Sequence, residues 1–302
     1  MATLMEKDVL IEKIANLTND LMLHHKEAIE DIAWLIASRE WLLFSSHTSI
    51  AFHAWIQLLD SVKAKFDVGV VTPMSQHDAL QKACDLTWQR LSKYAQSVDE
   101  PMGIVLGGQP GAGKSRVAQT LIGMMPKPIY INADEFRSLH PEYLALQAKY
   151  GADAPKYTGE FSGQVAENIL MRAIDARISV IIEGTFRNPV TPIKTLQRFK
   201  SHGYQTQATI VTTHQDLSWS STLERGHVAE AIGEIPRFVD RDLYQRVINS
   251  LPQNADLVFA SGFADRFVVL SRTRVCFDSK VDAGTPGAYI AEALTTDESQ
   301  SS

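Results

Sequence analysis

Gly108-Gln109-Pro110-Gly111-Ala112-Gly113-Lys114-Ser115 satisfies the pattern G-x-x-x-x-G-K-[ST] in full. The apolar run Ile104–Leu106 stands directly ahead of it, and a helical stripe through Val117, Leu121 and Ile122 follows. Few folds accept a strand, a glycine-rich loop and a helix in that order. Glycines let the backbone curl its N–H groups inward around phosphate oxygens, and the helix amino terminus adds partial positive charge at the same place. Gly108, Gln109, Pro110, Gly111, Ala112, Gly113, Lys114, Ser115 and the adjoining Arg116 are therefore the expected nucleotide-binding residues. Lys114 would reach the β- and γ-phosphates, and the Ser115 hydroxyl would ligate Mg²⁺. The implied ligand is a nucleoside triphosphate, ATP or GTP, with Mg²⁺.

Around this loop the chain has two grammars. From Met102 onward, short apolar runs alternate with helical segments: MGIVLGG, PIYIN, ISVIIEG and TQATIVTT, with further strands expected near Leu257–Phe259, Phe267–Leu270 and Arg274–Phe277. That alternation predicts an α/β fold with a doubly wound parallel sheet built around the P-loop. Before it, residues 1–97 read as a small all-α helical bundle. Leu10, Ile14, Leu17 and Leu21 form one stripe, Ile29, Ile32, Leu35 and Ile36 a second, and Ile50, Trp55, Leu58, Leu59 and Val62 a third. A fourth begins after Ser75, where Ser75 and Asp78 have capping-pair spacing, and runs through Leu80, Leu86 and Leu91. The expected division is a bundle over 1–97, a kinase domain over 98–285 and a flexible polar tail over 286–302.

Composition removes several classes. The net charge of −6 is concentrated early: residues 1–100 carry 14 acids and 9 bases. No basic block appears, so nucleic acid is a poor partner. No apolar run approaches the length of about 18 residues that a membrane span requires. The acidic start MATLMEKDVL lacks a secretory pattern. Cys84 and Cys276 stand alone, as reduced thiols of a cytoplasmic protein would.

A phosphate loop does not separate a kinase from a motor or a switch. Asn132-Ala133-Asp134-Glu135 follows the second apolar strand, and ligands bind at the carboxyl ends of parallel strands. An aspartate there can take the proton of an attacking hydroxyl, and Asp134 is preferred over Glu135 for that role. Spacing alone leaves a solvated acidic turn or a helix cap as the alternative. Glu183 ends the next strand, where it could hold Mg²⁺, bind substrate hydroxyls or simply face solvent. Arg225 and Arg237 bracket a helical segment with Gly233 and Pro236 between them. A lid of this kind could neutralise the transferring phosphoryl group.

In order, GGQPGAGKS, INADEFR, HPEYLALQAKY, FSGQVAENIL, VIIEGTFRNPVTPIKTL and TLERG through Arg237 resemble the zeta toxin family of P-loop small-molecule kinases, over residues 102 to about 260. HPEY and EGT-x-R are the more specific segments, since unrelated NTPases lack them. The resemblance implies ATP- or GTP-dependent phosphorylation of the 3′-hydroxyl of the aminosugar in UDP-N-acetylglucosamine, with a toxic block of cell-wall precursor synthesis. It implies Lys114 on the phosphates, Asp134 as base, and Arg225 and Arg237 as phosphate-contacting arginines. Glu167, Glu183, Thr185, Arg187 and Thr195 fall where the family binds the sugar nucleotide. His140 matches a motif but reads as structural. Gly226 departs from the aromatic that often follows the first lid arginine.

Zeta toxins are usually restrained by a separate helical antitoxin. The acidic helical prefix is therefore expected to contact the kinase domain of its own chain and restrain it, or else to serve as a stabilising or dimerising bundle. The competing functional readings are a kinase for another small hydroxylated metabolite or antibiotic, and a catalytically silent nucleotide-binding regulator.

Overall fold

The computed structural model describes residues 75–184, 186–231 and 239–296. The first three helical stripes, and with them most of the expected restraining prefix, lie outside the described residues. So do Thr185, Arg237 and residues 297–302.

Six strands form one sheet: β1 (Met102–Gly108), β2 (Ile129–Asn132), β3 (Val180–Glu183), β4 (Gln205–Val211), β5 (Arg266–Leu270) and β6 (Val275–Asp278). Their order is β2-β3-β1-β4-β5-β6. The first five pair in parallel, and β6 closes the edge antiparallel to β5. Such a sheet is covered on both faces, which is why β1 reads as a continuous rather than alternating apolar run, and why β4 buries Thr206, Gln207 and Thr209 along with its apolar residues. Burial follows that reading: every residue of β1 after Met102 is buried. Ile104, Leu106, Ile181 and Val211 meet Ala112 and Ala118 in the core beneath the glycine-rich loop.

The helices among the described residues are α1 (Gln76–Ser92), α2 (Lys114–Met124), α3 (Tyr143–Tyr150), α4 (Pro155–Asp175), α5 (Val190–Ser201), α6 (Gln215–Ala231), α7 (Arg241–Ala260) and α8 (Pro286–Thr295). A 3-10 turn, Ala133–Leu139, continues directly from β2. None of them is long and apolar enough to cross a membrane.

Three expectations need correction. Leu257–Phe259 is not a strand but the last turn of α7, whose Tyr244, Val247, Ile248, Leu251, Ala255 and Val258 are buried at helical spacing. Asp240 caps that helix by accepting from the Leu243 amide at 2.7 Å. A three-residue apolar run cannot by itself separate the two states.

The tail expected from residue 286 starts instead with α8, which has Pro286 in its first turn and buries Ile290, Ala293 and Leu294. The Gly287 amide donates to Asp256 Oδ1 at 2.7 Å, tying α8 to α7.

The expected boundary at 97/98 is also misplaced, because the chain divides after Gly69. Helix α1 is capped as expected, with Ser75 Oγ accepting from the Asp78 amide at 3.1 Å. It buries Ala79, Ala83, Cys84 and Thr87, and Asp85 pairs with Arg172 of α4 at 2.6 Å. A stripe announces that a helix buries one face; it does not name the partner.

Candidate active site

The loop between β1 and α2 has the backbone that its glycines predict. Gly108, Gly111 and Gly113 have φ of 136°, 77° and 104°, conformations that side chains resist. At Gly111 space is also exhausted: a Cβ would lie 2.0 Å from the carbonyl oxygen of Ser218. Not every loop residue offers its side chain to a ligand. Gln109 is fully buried and turns inward, donating from Nε2 to the Thr213 carbonyl at 2.6 Å, so only its backbone faces the cradle. Ser115 and Arg116 are exposed at the start of α2.

Lys114 curls back over the loop and donates to the carbonyls of Gly108 and Gln109 at 3.2 and 3.1 Å. Burial pushes its ammonium below the usual lysine range. Glu183 pulls it up, Arg225 presses it further down, and Asp134 again pulls it up. Two carboxylates and a guanidinium thus act on the one ammonium. The ammonium bonds carbonyls and, among the described residues, no carboxylate. A part-buried ammonium whose hydrogen bonds go to carbonyls fits a triphosphate, which would supply anionic acceptors.

The carboxylates arrive on neighbouring strands. Glu183 is in register with Leu106 of β1 and Asn132 of β2, so β3 sets it between the phosphate loop and the Asp134 turn. Tyr130 of β2 donates its hydroxyl to Glu183 Oε2. Burial, and then this bond to a carboxylate, hold the phenol far above its ordinary value, so Tyr130 stays a donor.

Asn132 accepts from the Asp134 amide at 3.1 Å and thereby fixes the turn. Arg137 grips Asp134 Oδ1 from two nitrogens, at 2.8 and 2.7 Å, and anchors itself on the Pro155 carbonyl at 2.7 Å. The Asp134 side chain is nevertheless 64% exposed. Tyr130, Asn132 and Arg137 were not singled out from sequence. Asn132, two residues before the aspartate in an Asx turn, was the one detectable signal.

The other expected residues are spread more widely. Arg225 is exposed on α6, with Gly226 buried beside it. Glu167 on α4 pairs with Arg198 of α5, and Thr195, buried one turn earlier on α5, donates to its own helix at Thr191. Arg187 is exposed beyond β3. It follows Phe186, which is held at φ 54° and bonded through its carbonyl to Asn254 at 2.8 Å. His140 is buried, accepts from the Glu142 amide at Nδ1 and packs edge-on against Phe161, as its structural reading requires.

For Mg²⁺ the donor set is sparse. No cluster of three His, Cys, Asp or Glu exists among the described residues. One serine hydroxyl with carboxylates nearby suits an ion held mainly by water and substrate phosphates.

Sheet order, loop and converging charges define a P-loop kinase-like α/β protein. The zeta toxin family model matches residues 85–282, and the chain belongs to that family of kinase-like phosphotransferase toxins. It is 33% identical over 215 residues to toxin PezT of Streptococcus pneumoniae, covering 70% of this chain and 84% of the relative. It is 27% identical to toxin zeta of Streptococcus agalactiae, covering 68% and 72%. Among solved structures, a chain of the S. pneumoniae PezAT toxin–antitoxin system superposes with a TM-score of 0.67 at 28% identity, over 74% of this chain and 89% of that one. An AvrRxo1-ORF1:ORF2 complex with ATP shares the fold, with a TM-score of 0.53 at 16% identity over 72% of this chain and 71% of that one.

Proposed function

We propose that this chain transfers the γ-phosphoryl group of ATP to the 3′-hydroxyl of the aminosugar of UDP-N-acetylglucosamine. One observation carries the phosphotransferase part. The Lys114 ammonium at the end of the phosphate loop feels the charges of Glu183 at the end of β3, Arg225 on α6 and Asp134 just beyond β2, groups of the kind that transfer to a hydroxyl needs. The acceptor follows from kinship with the zeta toxins, whose segments HPEY and EGT-x-R are present around His140 and Glu183.

In this reading the loop amides and Lys114 hold the donor phosphates. Asp134, oriented by Arg137 through Oδ1, receives the acceptor proton on Oδ2 as the hydroxyl attacks. Glu183, held by Tyr130, orients acceptor hydroxyls, and Arg225 balances charge on the moving phosphoryl group. Ser115 is the residue that would hold Mg²⁺, which when bound with ATP supplies further charge neutralisation. The test is incubation of the full chain with γ-labelled ATP, Mg²⁺ and a panel of UDP-sugars. Label should pass to UDP-N-acetylglucosamine in a Lys114-dependent manner. Transfer to a different acceptor alone, or none, would overturn the assignment.

A further inference from the structure

Arg272 lies in the turn between β5 and β6, 161 residues from the glycine-rich loop. One of its guanidinium nitrogens donates to the carbonyl of Gly111 at 2.7 Å and to Ser221 Oγ of α6 at 2.8 Å. That nitrogen therefore joins the loop to the helix that carries Arg225. We infer that Arg272 is a positioning residue for phosphoryl transfer: it clamps α6 to the phosphate loop and so fixes Arg225 over the donor phosphates.

The clamp is one of several contacts on this flank. The Gly111 backbone packs against the Ser218 carbonyl so closely that no Cβ fits. Gln109 Nε2 bonds the Thr213 carbonyl at 2.6 Å, at the entry to α6, and reaches Ser218 Oγ at 3.4 Å. Ser218 Oγ lies 2.6 Å from the Tyr244 hydroxyl, which also donates to the Gln215 carbonyl at 2.6 Å. Gly111 and Ser221 are thus held from one side by Arg272, while Gln109 and Tyr244 hold the first turn of the same helix. Arg225 follows Ser221 by about one turn, so a shift of the helix at Ser221 moves the backbone that carries Arg225 with it. A misplacement of about 1 Å at a transferring group can cost on the order of a hundredfold in rate. An exposed arginine that bonds a backbone carbonyl of the phosphate loop and a hydroxyl of the lid helix is placed to prevent it.

The inference rests on reading the loop as the donor site of a kinase, and two readouts keep the two ideas apart. In amide hydrogen exchange on the full chain, Arg272→Met should speed exchange in residues 215–225 relative to wild type, and unchanged exchange there would overturn the clamp. In steady-state transfer, Arg272→Met should lower kcat by about 10- to 100-fold with little change in the Kd for ATP. Arg272→Lys, which keeps the charge and a donor head, should recover part of the rate lost in Arg272→Met. The double variant Arg225→Ala/Arg272→Met should lose no more than Arg225→Ala alone. Multiplicative losses, or a loss carried by ATP affinity, would show that Arg272 does not act through Arg225. If wild type shows no Lys114-dependent transfer, the kinase reading falls while the exchange result still decides the clamp.

Discussion

The two flanks of the site are built from opposite materials. On the donor flank, toward β4 and β5, the phosphate loop is held by close backbone packing, a buried glutamine and an exposed arginine: Gln109 is wholly enclosed, Gly111 leaves no room for a Cβ beside the Ser218 carbonyl, and Arg272 bridges loop and helix. On the flank proposed for the acceptor, toward β2 and β3, the carboxylates are more open, Asp134 exposed and Glu183 partly so, each contacted by one neighbouring side chain. A triphosphate is the same in every turnover and rewards a rigid cradle. The acceptor proposed here, a sugar nucleotide, would have to be read by polar groups that can still be reached.

The sharpest way to break this contrast is to add the same methyl group to each flank. Gly111→Ala places a Cβ against the Ser218 carbonyl at φ 77° and should destabilise the chain by roughly 2–4 kcal/mol, with loss of ATP binding. Gly184→Ala, at the end of β3, meets nothing within 4 Å and should stay within about 0.5 kcal/mol of wild type. Urea unfolding checks both. Similar losses at the two glycines would erase the distinction.

Tyr130→Phe sharpens the contrast from the acceptor side. Removing the hydroxyl that holds Glu183 should raise KM for the acceptor about tenfold while leaving ATP affinity unchanged, measured by steady-state kinetics and calorimetry. A weakened affinity for ATP would instead tie Glu183 to the donor.

What was legible in the sequence follows the same division. The donor loop announces itself because its chemistry is local: eight consecutive residues carry the strand exit, the glycines and the lysine. Asp134 was visible because it follows its strand directly. Tyr130 could not be paired with Glu183 without knowing that β2 and β3 lie side by side in a set register. Arg272 is further removed, since only the return of β5 beside β4 brings its turn to the loop. The strand expected at Leu257 and the tail expected at 286 failed for a related reason. Short apolar runs show that a segment is buried but not what it is buried against.

The smallest expected effect concerns stability outside both flanks. Burial holds the His140 imidazole below its ordinary value of 6.5, with Glu142 opposing. The unfolded chain takes up that proton at higher pH than the folded one does. His140 therefore contributes stability above about pH 6.5 that is lost as pH falls toward its folded value. Thermal melts of His140→Gln should show a shallower loss between pH 7 and 5 than wild type; an identical slope would mean that His140 titrates normally.

The central claim is that Asp134 performs acceptor chemistry beside a donor cradle that does not need it. Asp134→Ala separates the two in one pair of assays. The account predicts that phosphoryl transfer to UDP-N-acetylglucosamine falls by about 10²- to 10⁴-fold, while the calorimetric Kd for ATP with Mg²⁺ stays within about twofold of wild type. Transfer that survives the substitution would contradict it.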